Sequence, residues 1–149
     1  MHRLTSAMCA GAILVGGLAL AAAQPVDGDQ QKLQGAWTAT KADNDGKAAG
    51  DLVGHRLAFT GNQFQIRSKD GKPLYAGTFR LNPGAKPAAI DFDHTTGTLS
   101  GKSWKGIYAL DGKMLTICDN APNLAGARPA AFGAKCGAGY TLIAFTRAD

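Results

Sequence analysis

The feature that most limits what this chain can become is a succession of short segments in which apolar and polar residues alternate, each closed by a turn. Leu57 and Phe59 share one face, Gly61-Asn62 turns the chain, and Phe64 and Ile66 then alternate with Gln63, Gln65 and Arg67. A period of two places such residues on opposite faces of a strand. After Asp70-Gly71-Lys72-Pro73, the pattern sets Tyr75, Gly77, Phe79 and Leu81 against Leu74, Ala76, Thr78 and Arg80. Asn82-Pro83-Gly84 breaks it, and Ile90 and Phe92 follow, opposite Asp91 and Asp93. Beyond the polar stretch from Thr95 to Gly101, Trp104, Gly106, Tyr108 and Leu110 share a face. Asp111-Gly112 is the strongest two-residue hairpin signal, and it leads into the run from Met114 to Cys118. With a first strand over Gly35 to Lys41 and a last over Tyr140 to Arg147, eight strands are expected. No segment of helical period is long enough to compete. Eight strands joined by tight turns suit an antiparallel up-and-down barrel, because closure removes the exposed edges. An interior of that size is filled by side chains or holds one small ligand.

Ahead of the strands, Met1-His2-Arg3 precedes an apolar or small run from Leu4 to Ala23. A basic start, an apolar middle and a small-residue site read as a secretory signal. Cleavage is expected after Ala23, with Ala19-Leu20-Ala21 as the other small-x-small site, and the alternative is a retained anchor. Cys9 follows Ser6-Ala7-Met8, which is no lipobox. The expected organisation is a signal peptide over 1–23, a segment over 24–34 with a capped helical turn after Asp27 and Asp29, and a barrel over 35–149. The protein is expected to be secreted or periplasmic, with no stable membrane span after cleavage.

Lys and Arg number 16 against 11 acids, every one of them Asp, and losing Arg3 with the leader lowers the net charge from +5 to +4. The cations are dispersed, as on a solvated surface, whereas a nucleic-acid site shows a clustered stripe with stacking aromatics. No nucleic-acid partner is expected. Cys118 and Cys136 remain after cleavage, and an even pair in an oxidising compartment reads as a disulfide. It would close a loop worth about 3 kcal/mol on the chain-entropy account. Between them runs the exception to the tight turns, 119–139, rich in Ala, Gly and Pro. Loops of that length are usually functional or disordered.

Gly35-x-Trp37 on the first strand, after a short helical turn, is similar to the first motif of the lipocalins, within the calycin group. The resemblance implies that Trp37 closes one end of the barrel and that Arg147, near the end of the last strand, packs across it as a cation over an indole face. From Leu33 to about Arg147 the chain looks like a lipocalin-like domain abundant in planctomycete proteins, without an assigned function. The likeness is carried by Gly61-Asn62-Gln63-Phe64, Gly77-Thr78-Phe79-x-Leu81, Pro87-x-x-Ile90-Asp91, Gly106-Ile107-Tyr108-x-Leu110-Asp111-Gly112, Leu115-x-Ile117-Cys118 and Arg128-Pro129-x-x-Phe132. It implies architecture and export and transfers no catalytic residue.

Chemistry has little to build on. His55 and His94 are the mature histidines, and Ser68, Ser100 and Ser103 sit in no nucleophile elbow. Asp91, Asp93 and His94 are close in sequence, but alternation sends the two carboxylates to one face, where solvation is expected, and the imidazole to the other. Asp43-Asn44-Asp45-Gly46-Lys47 reads as a turn, since Lys41 and Leu52 stand where a calcium loop needs ligands. No catalytic residue, metal or cofactor is expected, and the chain does not read as an enzyme.

Two binding readings remain. If Trp37, Phe59, Phe64, Tyr75, Phe79, Phe92, Trp104 and Tyr108 face inward, they either fill the barrel or line a site for a small apolar molecule. Tyr75, Trp104 and Tyr108 are the ligand candidates, each an apolar body with a polar tip. Alternatively 119–139 contacts a protein of the cell envelope, with Arg128 and Phe132 as its anchor. The competing expectation is that Phe132 caps the barrel mouth and Arg128 pairs with an Asp.

Overall fold

The structure is a computed structural model that describes residues 28–148. The signal segment and its cleavage site lie outside the described residues. The chain begins with a single-turn helix, α1, Gly28–Leu33, followed by β1, Gly35–Asn44, and a two-residue β2, Lys47–Ala48. The barrel continues through β3, Arg56–Thr60, β4, Gln63–Arg67, β5, Pro73–Asn82, and β6, Ala89–His94. It finishes with β7, Ser103–Asp111, β8, Met114–Asp119, and β9, Thr141–Arg147. Every pairing is antiparallel, each strand from β3 onward lies beside its successor, and β9 returns to pair with β1. The result is an eight-stranded closed up-and-down barrel, lipocalin-like in architecture, with β2 as an added hairpin arm on β1.

Turn chemistry sets the registers. Gly61-Asn62 joins the Thr60–Gln63 pair and Gly112-Lys113 joins the Asp111–Met114 pair. Gly61 and Gly112 both have positive φ while the residue after each does not, which is the type II′ pattern. Asp45 and Gly46 both have positive φ, the type I′ pattern, so β1 runs on to Asn44 and turns into β2. The stretch read as a plain turn is thus a hairpin. A bulge between Ala39 and Lys41 shifts the β1–β9 register. An extra residue at this point re-aims the strand, so Trp37 and Ala39 face inward before the bulge and Ala42 after it.

Inside, Leu33, Trp37, Leu57, Phe59, Phe64, Phe79, Ile90, Phe92, Trp104, Tyr108, Leu115, Ile117 and Phe145 form one buried cluster, with Tyr75 packed against it. Phe59 meets Phe79 edge-on at 4.7 Å between centroids and Phe64 meets Phe92 at 4.9 Å, an arrangement that matches the ring quadrupoles. These rings fill the middle of the barrel.

A second, smaller cluster lies on the outer wall. Ile107 and Cys118 face outward from β7 and β8 and are buried by Cys136, Phe132, Tyr140 and Leu142. The expected Cys118–Cys136 disulfide is present, with Cα atoms 6.1 Å apart, and it pins the long loop against this wall. Asn120, fully buried, holds the start of the loop: its Oδ1 accepts from the Lys105 amide and its Nδ2 donates to the Gly126 carbonyl.

Candidate functional site

One end of the barrel is shut. Trp37 is fully buried, and its indole N–H donates to the Leu33 carbonyl at 2.8 Å. Arg147, its register partner on β9, lies over the ring with Cζ 4.3 Å from the centroid. The same guanidinium donates to the carbonyls of Gln34 and Lys32, tying the end of α1 to β9. Gly35 allows this approach, since a Cβ there would stand 3.2 Å from the guanidinium and the residue has φ of +107°. Tyr108 belongs to this end too, its hydroxyl donating to Asp29 at 2.7 Å.

The other end is open. A cavity of about 370 Å³ enters the barrel there, within the range of small-molecule sites. Its inner wall is Leu57, Ile66, Tyr75, Trp104, Ile143 and Phe145. Its rim is built by three connections, the turn over Gly50–Leu52 with His55 and Arg56, the turn over Gly97–Leu99, and Ala121-Pro122. Leu99 folds back to pack on the core cluster, so the segment read as polar loop contributes an apolar side chain to the site.

Along one side of the cavity the wall turns polar. Asp119, Thr141 and Asn44 are register partners on β8, β9 and β1, forming one rung across three strands, and all three line the cavity. The Thr141 hydroxyl donates to Asn44 Oδ1 at 2.8 Å. Asp119 is only 7 % exposed, and one carboxyl oxygen accepts the Ala121 amide at 3.0 Å. Burial pushes its carboxyl up to about 7, and the Ala121 amide only partly offsets this. Glycine makes the room: a Cβ on Gly106, its partner on β7, would stand 3.0 Å from Asp119 Cβ.

His94 faces inward from β6, 3 % exposed, with its ring among those of Phe64, Tyr75 and Trp104. Its Nδ1 faces the Lys102 carbonyl at 3.1 Å, while Nε2 has no hydrogen-bond partner among the described residues. Burial pulls the imidazole below its ordinary range. It stands behind Tyr75 and Trp104 and is not part of the cavity lining.

Asp91 and Asp93 face outward as alternation requires, but ion pairs hold them where open solvation was expected. Arg80 reaches Asp93 at 2.9 Å and Asp91 at 3.4 Å, and Arg128 reaches Asp91 at 2.6 Å. The Arg80 hydrogen bond holds the Asp93 carboxyl below the usual carboxylate range. Arg128 also donates to the carbonyls of Ile90 and Gly106, so the anchor residue of the long loop is engaged with its own barrel. Phe132 does not cap the mouth; it lies on the outer wall with Ile107 and the disulfide.

Of the ligand candidates, Tyr75 and Trp104 come together in the cavity, their rings 5.0 Å apart, whereas Tyr108 lies at the shut end. Sequence reasoning passed over Asp119, because it assigned that residue to the loop; the signal was its alternation with Leu115 and Ile117. Comparison with protein-family models, with curated proteins and with solved structures gives no match.

Proposed function

We propose that this protein is an exported, non-enzymatic binding protein that takes a small apolar molecule into the open end of its barrel. The observation that carries the reading is the 370 Å³ cavity, open at one end, with a mainly apolar lining that includes Tyr75 and Trp104. Rings that fill the middle and a tryptophan that shuts the far end leave one entrance, so a ligand enters with its polar part toward the rim. The Cys118–Cys136 disulfide supports an oxidising compartment, and no helix among the described residues is long and apolar enough to cross a membrane. Kinship with the planctomycete lipocalin-like domains belongs to the same proposal. The test is titration with the neutral fluorescent probe N-phenyl-1-naphthylamine. Saturable enhancement of its emission, lost when Ile143→Trp fills the cavity, is expected. Absence of saturable binding, or undiminished binding by a folded Ile143→Trp protein, overturns the reading.

A further inference from the structure

We propose that the ligand is an apolar amine, with its aromatic or aliphatic body against Tyr75, Trp104 and Leu57 and its ammonium on the free oxygen of Asp119. This rests on the reading of the cavity as a ligand site and adds the chemistry that would select among apolar molecules. Asp119 is more than nine-tenths buried and lines the cavity, and its second carboxyl oxygen has no protein partner among the described residues. A carboxylate in such a place lacks the counter-charge that makes burial tolerable. The neighbouring strands present Gly106, Thr141 and Asn44 beside it, and the loop presents Ala121 and Pro122, so none of them supplies a cation. The ionisable groups sharing the cavity are His55, Arg56 and Tyr75. Arg56 is exposed and alternates with inward-facing Leu57, and no ion pair joins Arg56 or His55 to Asp119 among the described residues.

An ammonium satisfies what this wall leaves open. It donates to Asp119, and its remaining N–H groups reach acceptors on the rung, where Thr141 and Asn44 carry oxygens. A neutral alcohol of the same shape gains the apolar contacts and one ordinary hydrogen bond, but no charge pairing. An anionic ligand is disfavoured, because it meets the carboxylate or forces it to keep its proton.

Since the Asp119 carboxyl is held near 7, proton and ammonium compete for the same oxygen. A primary amine stays cationic well above this pH. Amine affinity therefore rises as pH increases from 5 to 8, steepest below 7, whereas affinity for the alcohol stays flat.

Calorimetry with phenethylamine and its isostere 2-phenylethanol separates these effects, beside the N-phenyl-1-naphthylamine titration that reports on the cavity itself. At pH 8 phenethylamine should bind at least tenfold more tightly than the alcohol. Asp119→Asn should erase the preference, read as the ratio of amine to alcohol affinity within one protein so that any change in the cavity itself cancels, and in the parent protein the amine preference should shrink at least tenfold between pH 8 and pH 5. If the probe binds but amine and alcohol bind alike, or if the preference survives in Asp119→Asn, the amine proposal is wrong and the cavity reading stands. If neither probe nor amine binds, both are wrong. The pH series needs no substitution, so a flat profile overturns the proposal even if the Asn variant fails to fold.

Discussion

Gly106 and Asp119 face each other across β7 and β8, and the Asp119 Cβ and the Cys118 carbonyl occupy space that any larger residue at 106 would need. A Cβ at 106 would lie 2.9 Å from the Cys118 carbonyl oxygen and 3.0 Å from Asp119 Cβ. Gly77 is placed even more tightly, since a Cβ there would fall 1.9 Å from the Asp93 carbonyl oxygen. Gly106→Ala is therefore expected to cost about 1–3 kcal/mol through overpacking, and Gly77→Ala to cost more, because both meet a backbone oxygen and the overlap at 77 is far deeper, 1.9 Å against 2.9 Å. Thermal unfolding of the two variants checks the order.

Asp119 also makes stability depend on pH in a defined direction. The folded protein holds this proton up to about 7, against an ordinary value of 3.8. Between those values the folded state binds more protons than the unfolded chain, so the contribution is full below 3.8, declines as pH rises across that window and is gone above about 7. Asp119→Asn removes the charge and keeps the acceptor for the Ala121 amide. Its advantage over the parent should be near zero at pH 4 and reach at most about 4 kcal/mol at pH 8. His94, with its pKa lowered, acts in the opposite sense, costing stability as pH falls through 6.5, and it cancels when variant and parent are compared at one pH. Denaturant unfolding at the two pH values tests this, and an advantage that is larger at pH 4 would contradict the placement.

Arg147→Ala should open the shut end. It removes the cation from the Trp37 face and two carbonyl hydrogen bonds from the end of α1, together about 2–3 kcal/mol. Arg147→Lys should recover only part, since an ammonium lacks the planar fork that spans both carbonyls. Urea midpoints of the three proteins give the ranking.

Arg128→Ala should loosen the long loop without unfolding the barrel. Arg128 joins that loop to Asp91 and to the carbonyls of Ile90 and Gly106, so its loss is expected to cost about 1–3 kcal/mol. Limited proteolysis should then cut between 121 and 131 at lower protease levels than in the parent.

The barrel was legible because alternation and turn residues agree. Leu57 with Phe59, Phe64 with Ile66, and Ile90 with Phe92 point to one face, Gly61-Asn62 sets one return of the chain, and the return expected at Asp111-Gly112 falls one residue later, on Gly112-Lys113. The β1 bulge was not legible, because an extra residue shows only against the register of β9. The outward cluster was hidden for a similar reason: Ile107 and Cys118 hold positions that read as solvent-facing until the loop covers them. The site was half legible. Tyr75 and Trp104 follow from ring and alternation, but Tyr108 shares their face and differs only in height along the barrel, which period two does not encode. Asp119 was missed because an acid beside an Ala-, Gly- and Pro-rich stretch reads as turn. Its inward position rests on the register with Gly106 and Thr141.

An open cavity at the Trp104 end and a sealed end at Trp37 can be read from two signals. The protein has two tryptophans, one lining the cavity and the other fully buried with its N–H on Leu33. Their indole N–H resonances, assigned with Trp104→Phe, should be followed by NMR as N-phenyl-1-naphthylamine is added. A saturable shift of the Trp104 signal and an unmoved Trp37 signal are expected. Two unmoved signals, or a Trp37 shift as large as that of Trp104, would contradict this arrangement.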